Sequence, residues 1–324
     1  MKKSGGNLNK SKIQGIPVTI LTGFLGSGKT TVLNHILTKQ KGLKTAVLVN
    51  EFGEIGIDND LIVKTHEDII ELANGCICCT INGELLNAIN RVLANKDIEY
   101  LIIETTGLAD PLPVAMTVNS SRDQLRLDSI ITLIDAENFD SDILSSQIAR
   151  SQIIYGDILL INKCDLVNEE KISYINSKVS EIKNDPRILK CIKGDVPLGL
   201  LLSVGLFESD LIAKNDHDHD HDHGHKLKIE GFTSFSFQCN QPFSLRKFQY
   251  FLDNQLPSSV YRAKGILCFE ESEITHVFHL SGKRFTLEDS DRNRERKNKV
   301  VLIGKDIDHG TLEKQIEACI SSNI

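Results

Sequence analysis

PVTILTGFLGSGKTTVLNHIL, residues 17–37, passes from an apolar strand pattern through a glycine-rich turn into a helical one. Inside it, Gly23-Phe-Leu-Gly26-Ser27-Gly28-Lys29-Thr30 fits G-x-x-x-x-G-K-[ST]. In such a loop successive main-chain N–H groups curl around phosphate oxygens, a lysine reaches the β/γ-phosphates and a hydroxyl holds Mg²⁺. Those two roles fall to Lys29 and Thr30, with Gly23, Gly26, Ser27, Gly28 and Thr31 completing the expected cradle. The strand before and the helix after are the context this motif needs.

Outward from that stretch, four more apolar runs have the same character: TAVLVN (45–50), YLIIETT (100–106), SIITLIDA (129–136) and ILLINK (158–163). Each is apolar on both alternating faces, as interior strands of a parallel sheet are. Between them KTTVLNHILTKQ (29–40) and GELLNAINRVLANK (83–96) repeat apolar residues every three or four positions, the mark of amphipathic helices. The expectation is a doubly wound α/β domain over residues 16–212, behind a flexible N-terminus of residues 1–15. KNDHDHDHDHGHK (214–226) contains no apolar residue and places a flexible linker at 213–228.

Beyond the linker, TSFSFQC (233–239) alternates, with Phe235, Phe237 and Cys239 on one face. A helical stretch (SLRKFQYFLDNQL, 244–256), three strand candidates (KGILCFEE, THVFHLSG, KVVLIGKD) and a closing helix (TLEKQIEACI, 311–320) follow. This is the order of a smaller α+β domain over 229–324.

At 324 residues, 40% hydrophobic and 25% charged, the composition is that of a soluble globular chain. The net charge is −7, and setting aside Asp216, Asp218, Asp220 and Asp222 leaves about −3, so no nucleic-acid partner is expected. MKKSGGNLNKSK (1–12) has no apolar segment behind it and no run is long enough for a bilayer, so no secretion, no membrane and a cytoplasmic location are expected. Cys164, Cys191, Cys239, Cys268 and Cys319 are scattered among apolar contexts, as reduced, packed cytosolic thiols are.

Asn162-Lys163-Cys164-Asp165 ends an apolar strand and fits N-K-x-D. An aspartate there accepts from guanine N1–H and the 2-amino group, a donor pair adenine lacks, and so favours GTP. Glu104 ends another strand, placed to hold Mg²⁺ or its water, and Gly107 has a main-chain N–H for the γ-phosphate.

NGCICCT (74–80) packs Cys76, Cys78 and Cys79 into C-x-C-C. Structural zinc takes four ligands, commonly as two separated pairs, and no second pair exists outside the histidine tract. An incomplete thiolate set favours a labile ion completed by another element. His217, His219, His221, His223 and His225 add imidazoles that suit Zn²⁺, Ni²⁺, Co²⁺ or Cu²⁺. Three other readings stand beside this one: a P-loop ATPase or phosphotransferase with structural zinc, a non-catalytic metal buffer, and a redox or packing role for the thiols.

With GFLGSGKTT (23–31), NEFGEIGID (50–58), NGCICCT (74–80), ETTGLADP (104–111) and INKCD (161–165) in that order, the chain resembles the CobW/YjiA family of metallochaperone GTPases. The resemblance covers nearly everything from residue 16 onward. It implies an N-terminal G domain related to the nickel-insertion GTPases, a small α+β C-terminal domain and slow GTP hydrolysis. It makes NEFGEIGID a nucleotide-responsive switch and Glu54 a further metal ligand; some members carry another Glu before its Asn, where this chain has Val49. It implies GTP and Mg²⁺, a Zn²⁺ or Co²⁺ cargo held by Cys78, Cys79 and Cys76, and a client metalloprotein as partner; assembly into a homo-oligomer is left open by the sequence. Delivery of cobalt toward cobalamin synthesis stays open within the family, since these ligands accept either ion.

Overall fold

The computed structural model describes residues 15–40, 43–50, 70–74, 81–94, 97–121, 124–140, 144–202, 232–290 and 296–321. Glu54, Cys76, Cys78, Cys79 and the five histidines from His217 to His225 lie outside them. So do most of NEFGEIGID and the expected linker.

The first part of the chain runs β1 (Ile16–Gly23), α1 (Lys29–Lys39), β2 (Thr45–Asn50), β3 (Ile70–Asn74), α2 (Ile81–Leu93), β4 (Tyr100–Glu104), α3 (Pro111–Ser120) and β5 (Leu125–Asp135). It continues with α4 (Gln147–Tyr155), β6 (Ile158–Asn162), α5 (Glu169–Ile182), β7 (Ile188–Lys190) and the short α6 (Leu198–Leu201). These seven strands form one parallel sheet in the order β3-β2-β4-β1-β5-β6-β7. Strand order turns back at β1, and ligands of such sheets bind outside the carboxyl ends at that point.

Both faces are covered because both faces of each strand are apolar. Leu21, Val47, Ile102 and Ile131 pack with Val32, Leu33 and Ile36 of α1 on one side. Ile20, Leu48, Ile103 and Ile130 pack with Leu85 and Ile89 of α2 and Val114 and Val118 of α3 on the other. A fully buried aliphatic side chain contributes roughly 1.5–3 kcal/mol, so these rows fix which face each helix covers.

The second part consists of β8 (Phe232–Cys239), α7 (Leu245–Tyr250), β9 (Val260–Cys268), β10 (Thr275–Ser281), β11 (Arg284–Asp289), β12 (Asn298–Lys305) and α8 (His309–Glu317). Its antiparallel order is β11-β10-β9-β12-β8. Phe235, Phe248, Phe251, Phe278, Leu312 and Ile316 form its core under α7 and α8. The opposite face carries Arg262, His279, Ser281, Arg284 and Glu288 toward the amino ends of the parallel strands.

There the two sheets meet through buried polar pairs. Arg262 donates to Asp128 at 2.8 Å and to the Leu200 carbonyl at 3.0 Å. Tyr100 donates to the same carboxylate at 2.8 Å, Arg284 to Asp157 at 2.8 Å and Ser281 to Ser129 at 2.8 Å.

The structure departs from the sequence expectation in several elements. β4 stops at Glu104, since Thr105 turns away after its N–H bonds the Leu21 carbonyl at 2.9 Å. β5 starts at Leu125, earlier than 129, because Leu125, Arg126 and Leu127 pair with Ile16, Pro17 and Val18 of β1. The 244–256 helix is α-helical only to Tyr250 and closes as a wider turn over Phe251–Gln255. β3, β7 and β11 were not among the expected strands.

Candidate functional site

At the carboxyl edge, β1 ends at Gly23 and α1 begins at Lys29. Gly23, Gly26 and Gly28 all hold positive φ, at 143°, 73° and 98°. Gly28 is the N-cap of α1, and a Cβ on it would lie 2.4 Å from the Asn162 side-chain nitrogen. Only glycine lets the loop turn in and the helix start there. The turn aims main-chain N–H groups and the positive end of α1 at one point, an arrangement suited to anions.

Lys29 bends back over the loop, donating to the Gly23 and Phe24 carbonyls at 3.1 and 3.2 Å. Thr30 donates to Glu104 at 3.1 Å, joining the first turn of α1 to the end of β4. Ser27 Oγ is buried with no hydrogen-bond partner among the described residues. Thr31 is exposed on the first turn of α1. Gly107 lies on the loop itself, where a Cβ would sit 2.6 Å from the Leu25 main-chain nitrogen.

The end of β6 closes the other side. Asn162 is 2% exposed and donates to the Ser27 carbonyl at 3.0 Å, while its side-chain oxygen accepts from Gly194 N–H at 3.2 Å. One amide thereby ties the glycine loop to the segment after β7. Lys163 follows in the left-handed region at φ 62° and donates to Asp135 at 2.7 Å. Asp165 opens to solvent in a short turn over Cys164–Leu166. Loop, lysine, hydroxyl, acid and base-reading segment thus converge on one edge.

Residues 17–190 match the CobW/HypB/UreG nucleotide-binding domain, and residues 232–320 match the cobalamin synthesis protein CobW C-terminal domain. The chain belongs to the CobW/HypB/UreG family. The zinc-regulated GTPase metalloprotein activator 1 of Dictyostelium discoideum is 30% identical over 342 aligned residues, spanning 89% of this chain and 72% of that protein. The zinc chaperone YjiA of Escherichia coli is 40% identical over 200 residues, spanning 59% of this chain and 62% of that one. The structure of Zn(II)-bound YjiA GTPase from E. coli is 26% identical with a TM-score of 0.45, covering 95% of this chain and all of that one.

Two further residues of this CobW-family chain, one through its carboxylate and one through its main-chain N–H, sit at the base side without belonging to any motif. Asp135, 6% exposed, accepts from Lys163, from Asn138 Nδ2 at 2.9 Å and from Glu137 N–H at 3.0 Å. Burial pushes its carboxyl up, but the hydrogen bonds from Lys163 and Asn138 outweigh it and hold the group below the usual carboxylate range. Gly194 is the second. A strand-ending acid one strand before N-K-x-D is the sequence signal for Asp135; nothing in the sequence marks Gly194.

Among the described residues, Cys191 touches the Asn162 side-chain oxygen and Cys164 follows two residues after it. Burial pushes the Cys191 thiol up to about 12 and raises Cys164 as well. No group of three or more metal-ligating side chains occurs among the described residues. No helix among them is long and apolar enough to cross a membrane.

Proposed function

We propose that this chain is a cytoplasmic GTP-dependent metallochaperone. It binds a transition metal, foremost zinc, at the C-x-C-C segment and couples GTP binding and slow hydrolysis to delivery to a client protein. The G domain is taken as residues 16–212, the linker as 213–228 and the C-terminal domain as 229–324. The observation that carries the nucleotide half is the Asn162 amide, which joins the phosphate loop at Ser27 to the lysine and aspartate that follow it.

In this reading Gly23, Gly26, Gly28 and Thr31 line the phosphates, and Ser27 Oγ gains the partner it lacks. Lys29 exchanges two loop carbonyls for β/γ-phosphate oxygens. Thr30 and Glu104 offer hard oxygen donors 3.1 Å apart, which fit Mg²⁺. That ion, when bound, neutralises charge on the β- and γ-phosphates. Water adds to the γ-phosphorus as the bond to the β–γ bridging oxygen breaks, giving GDP and phosphate. Gly107 meets the γ-phosphate end, and Asp165 at the lip accepts from guanine while Lys163 is steadied by Asp135.

On the metal side, Cys76, Cys78 and Cys79 with Glu54 form the cargo site, and His217, His219, His221, His223 and His225 supply a looser reservoir. Ligands must lose protons to bind, so loading weakens in acid. The names of the relatives from D. discoideum and E. coli support zinc as cargo; cobalt fits the same ligands.

Nucleotide choice tests the first half. Wild-type protein should bind GTP well above ATP by titration calorimetry, and Asp165→Ala should lose that preference by about tenfold or more. Equal affinities for GTP and ATP in the wild type would contradict the assignment.

A further inference from the structure

Helix α4 buries a polar side chain where its amphipathic pattern calls for an apolar one. Gln152 is 1% exposed, between Ala149 and Ile153 in the same buried face. Its Nε2 donates to the Gly107 carbonyl at 3.2 Å and to the Ala109 carbonyl at 3.1 Å. Its own main-chain carbonyl accepts from Thr132 Oγ1 at 2.6 Å. One residue earlier, Ser151 donates to Asp110 Oδ1 at 2.7 Å, the oxygen that also caps α3 through Leu112 N–H at 2.9 Å.

The segment held this way is the one that follows Glu104 and lies on the glycine loop. Its near end is pinned to β1, with Thr105 donating to Thr22 Oγ1 at 2.8 Å. Its middle, Gly107, presses on the Leu25 main chain. Helix α4 is itself a fixed post. Just past its end Asp157 accepts from Ile130 N–H at 2.8 Å and from Arg284 of the second sheet at 2.8 Å. A buried amide that lost both carbonyls would keep its desolvation cost with nothing to offset it, so Gln152 and the loop hold each other in one arrangement.

We propose that Gln152, backed by Ser151, is a positioning residue for the loop Thr105–Asp110, setting how well the site distinguishes a nucleoside triphosphate from a diphosphate. The inference rests on the GTPase reading of the site and adds the element that holds its γ-phosphate side. Gln152 lies on the loop after Glu104 and makes no bond to Asn162, Lys163 or the glycine loop in the structure. Its loss therefore acts on the triphosphate and spares the base and the diphosphate.

The test uses the full chain and two probes, GDP and a non-hydrolysable GTP analogue, with single-turnover GTP hydrolysis alongside. Gln152→Leu keeps the packing and removes both donors; Gln152→Glu keeps the shape and sets a carboxylate against two carbonyls. Each should lower the ratio of GTP-analogue to GDP affinity about tenfold and slow hydrolysis similarly, with GDP affinity held within about twofold. Ser151→Ala, at a half-buried position, should move the ratio the same way by a smaller factor, and it decides the matter if the Gln152 variants do not fold. An unchanged ratio in a folded variant, or equal loss for both nucleotides, overturns the proposal while leaving the GTPase reading intact. Wild-type protein that binds neither guanine nucleotide overturns the reading and the proposal together.

Discussion

The two ends of the parallel sheet are both rich in polar side chains, and they use them in opposite ways. At the amino ends, Asp128 is 5% exposed and meets Arg262, Tyr100 and, at 3.5 Å, Arg126. Arg262 turns its donors inward, onto Asp128 and the Leu200 and Leu201 carbonyls. At the carboxyl ends, Lys29 rests on loop carbonyls, Thr30 on Glu104, and Ser27 Oγ on nothing described. Groups saturated with internal partners hold the fold, whereas groups with provisional partners are available to a ligand. Burial of charge alone does not separate Asp128 and Arg262 from Lys29 and Thr30; their partner sets do, although His279 at the amino edge is buried with neither ring nitrogen bonded among the described residues.

The largest effect should come from breaking the saturated edge. Arg262→Met leaves Asp128 buried without its strongest partner and should cost about 3–5 kcal/mol, read as a lower midpoint in denaturant unfolding. GTP affinity below that midpoint should stay near wild type. Lys29→Ala should do the converse, lowering GTP turnover by about a hundredfold or more while leaving the unfolding midpoint within experimental spread. A large stability loss from Lys29→Ala would erase the contrast between the two edges.

A smaller effect distinguishes the edges by pH. His279 is 5% exposed on β10, and neither ring nitrogen has a partner among the described residues. Burial first, then the nearby charges of Arg126 and Lys264, push its pKa down to about 2. In the unfolded chain it protonates near 6.5, so below that pH the unfolded state binds the extra proton. Stability is therefore full above about pH 6.5 and falls by about 1.4 kcal/mol per unit below it. Asp157 and Glu288 are raised by burial and act in the opposite sense as pH falls. The difference between wild type and His279→Leu isolates the histidine: unfolding followed from pH 7 to 5 should show a shallower acid slope in the variant. Parallel slopes would remove His279 from the account.

Legibility followed the same division. The glycine loop, its strand and helix, and N-K-x-D could be read directly because their chemistry fixes both residue type and spacing. The amino-edge network could not, since Tyr100, Asp128 and Arg262 are far apart in sequence and only the docking of two sheets brings them together. β11 is hidden in the sequence for the same reason. Arg284, Thr286 and Glu288 on its polar face suggest a solvated segment, yet Arg284 and Glu288 pair with Asp157 and Arg126 of the other sheet. β7 is three residues long and β3 carries Glu71 and Asn74, so neither stands out as a buried run. Gln152 reads as one polar residue in a helix; only the fold shows it facing the carbonyls of Gly107 and Ala109.

The central claim is that nucleotide governs metal held by the C-x-C-C segment. The direct measurement is a zinc competition titration against a chromophoric chelator, with and without Mg·GTP, on wild type and on Cys78→Ser/Cys79→Ser. The account predicts that GTP changes the wild-type zinc affinity by about tenfold or more and that the double variant loses both the tight site and the nucleotide effect. Zinc affinity that is the same with and without GTP would contradict it.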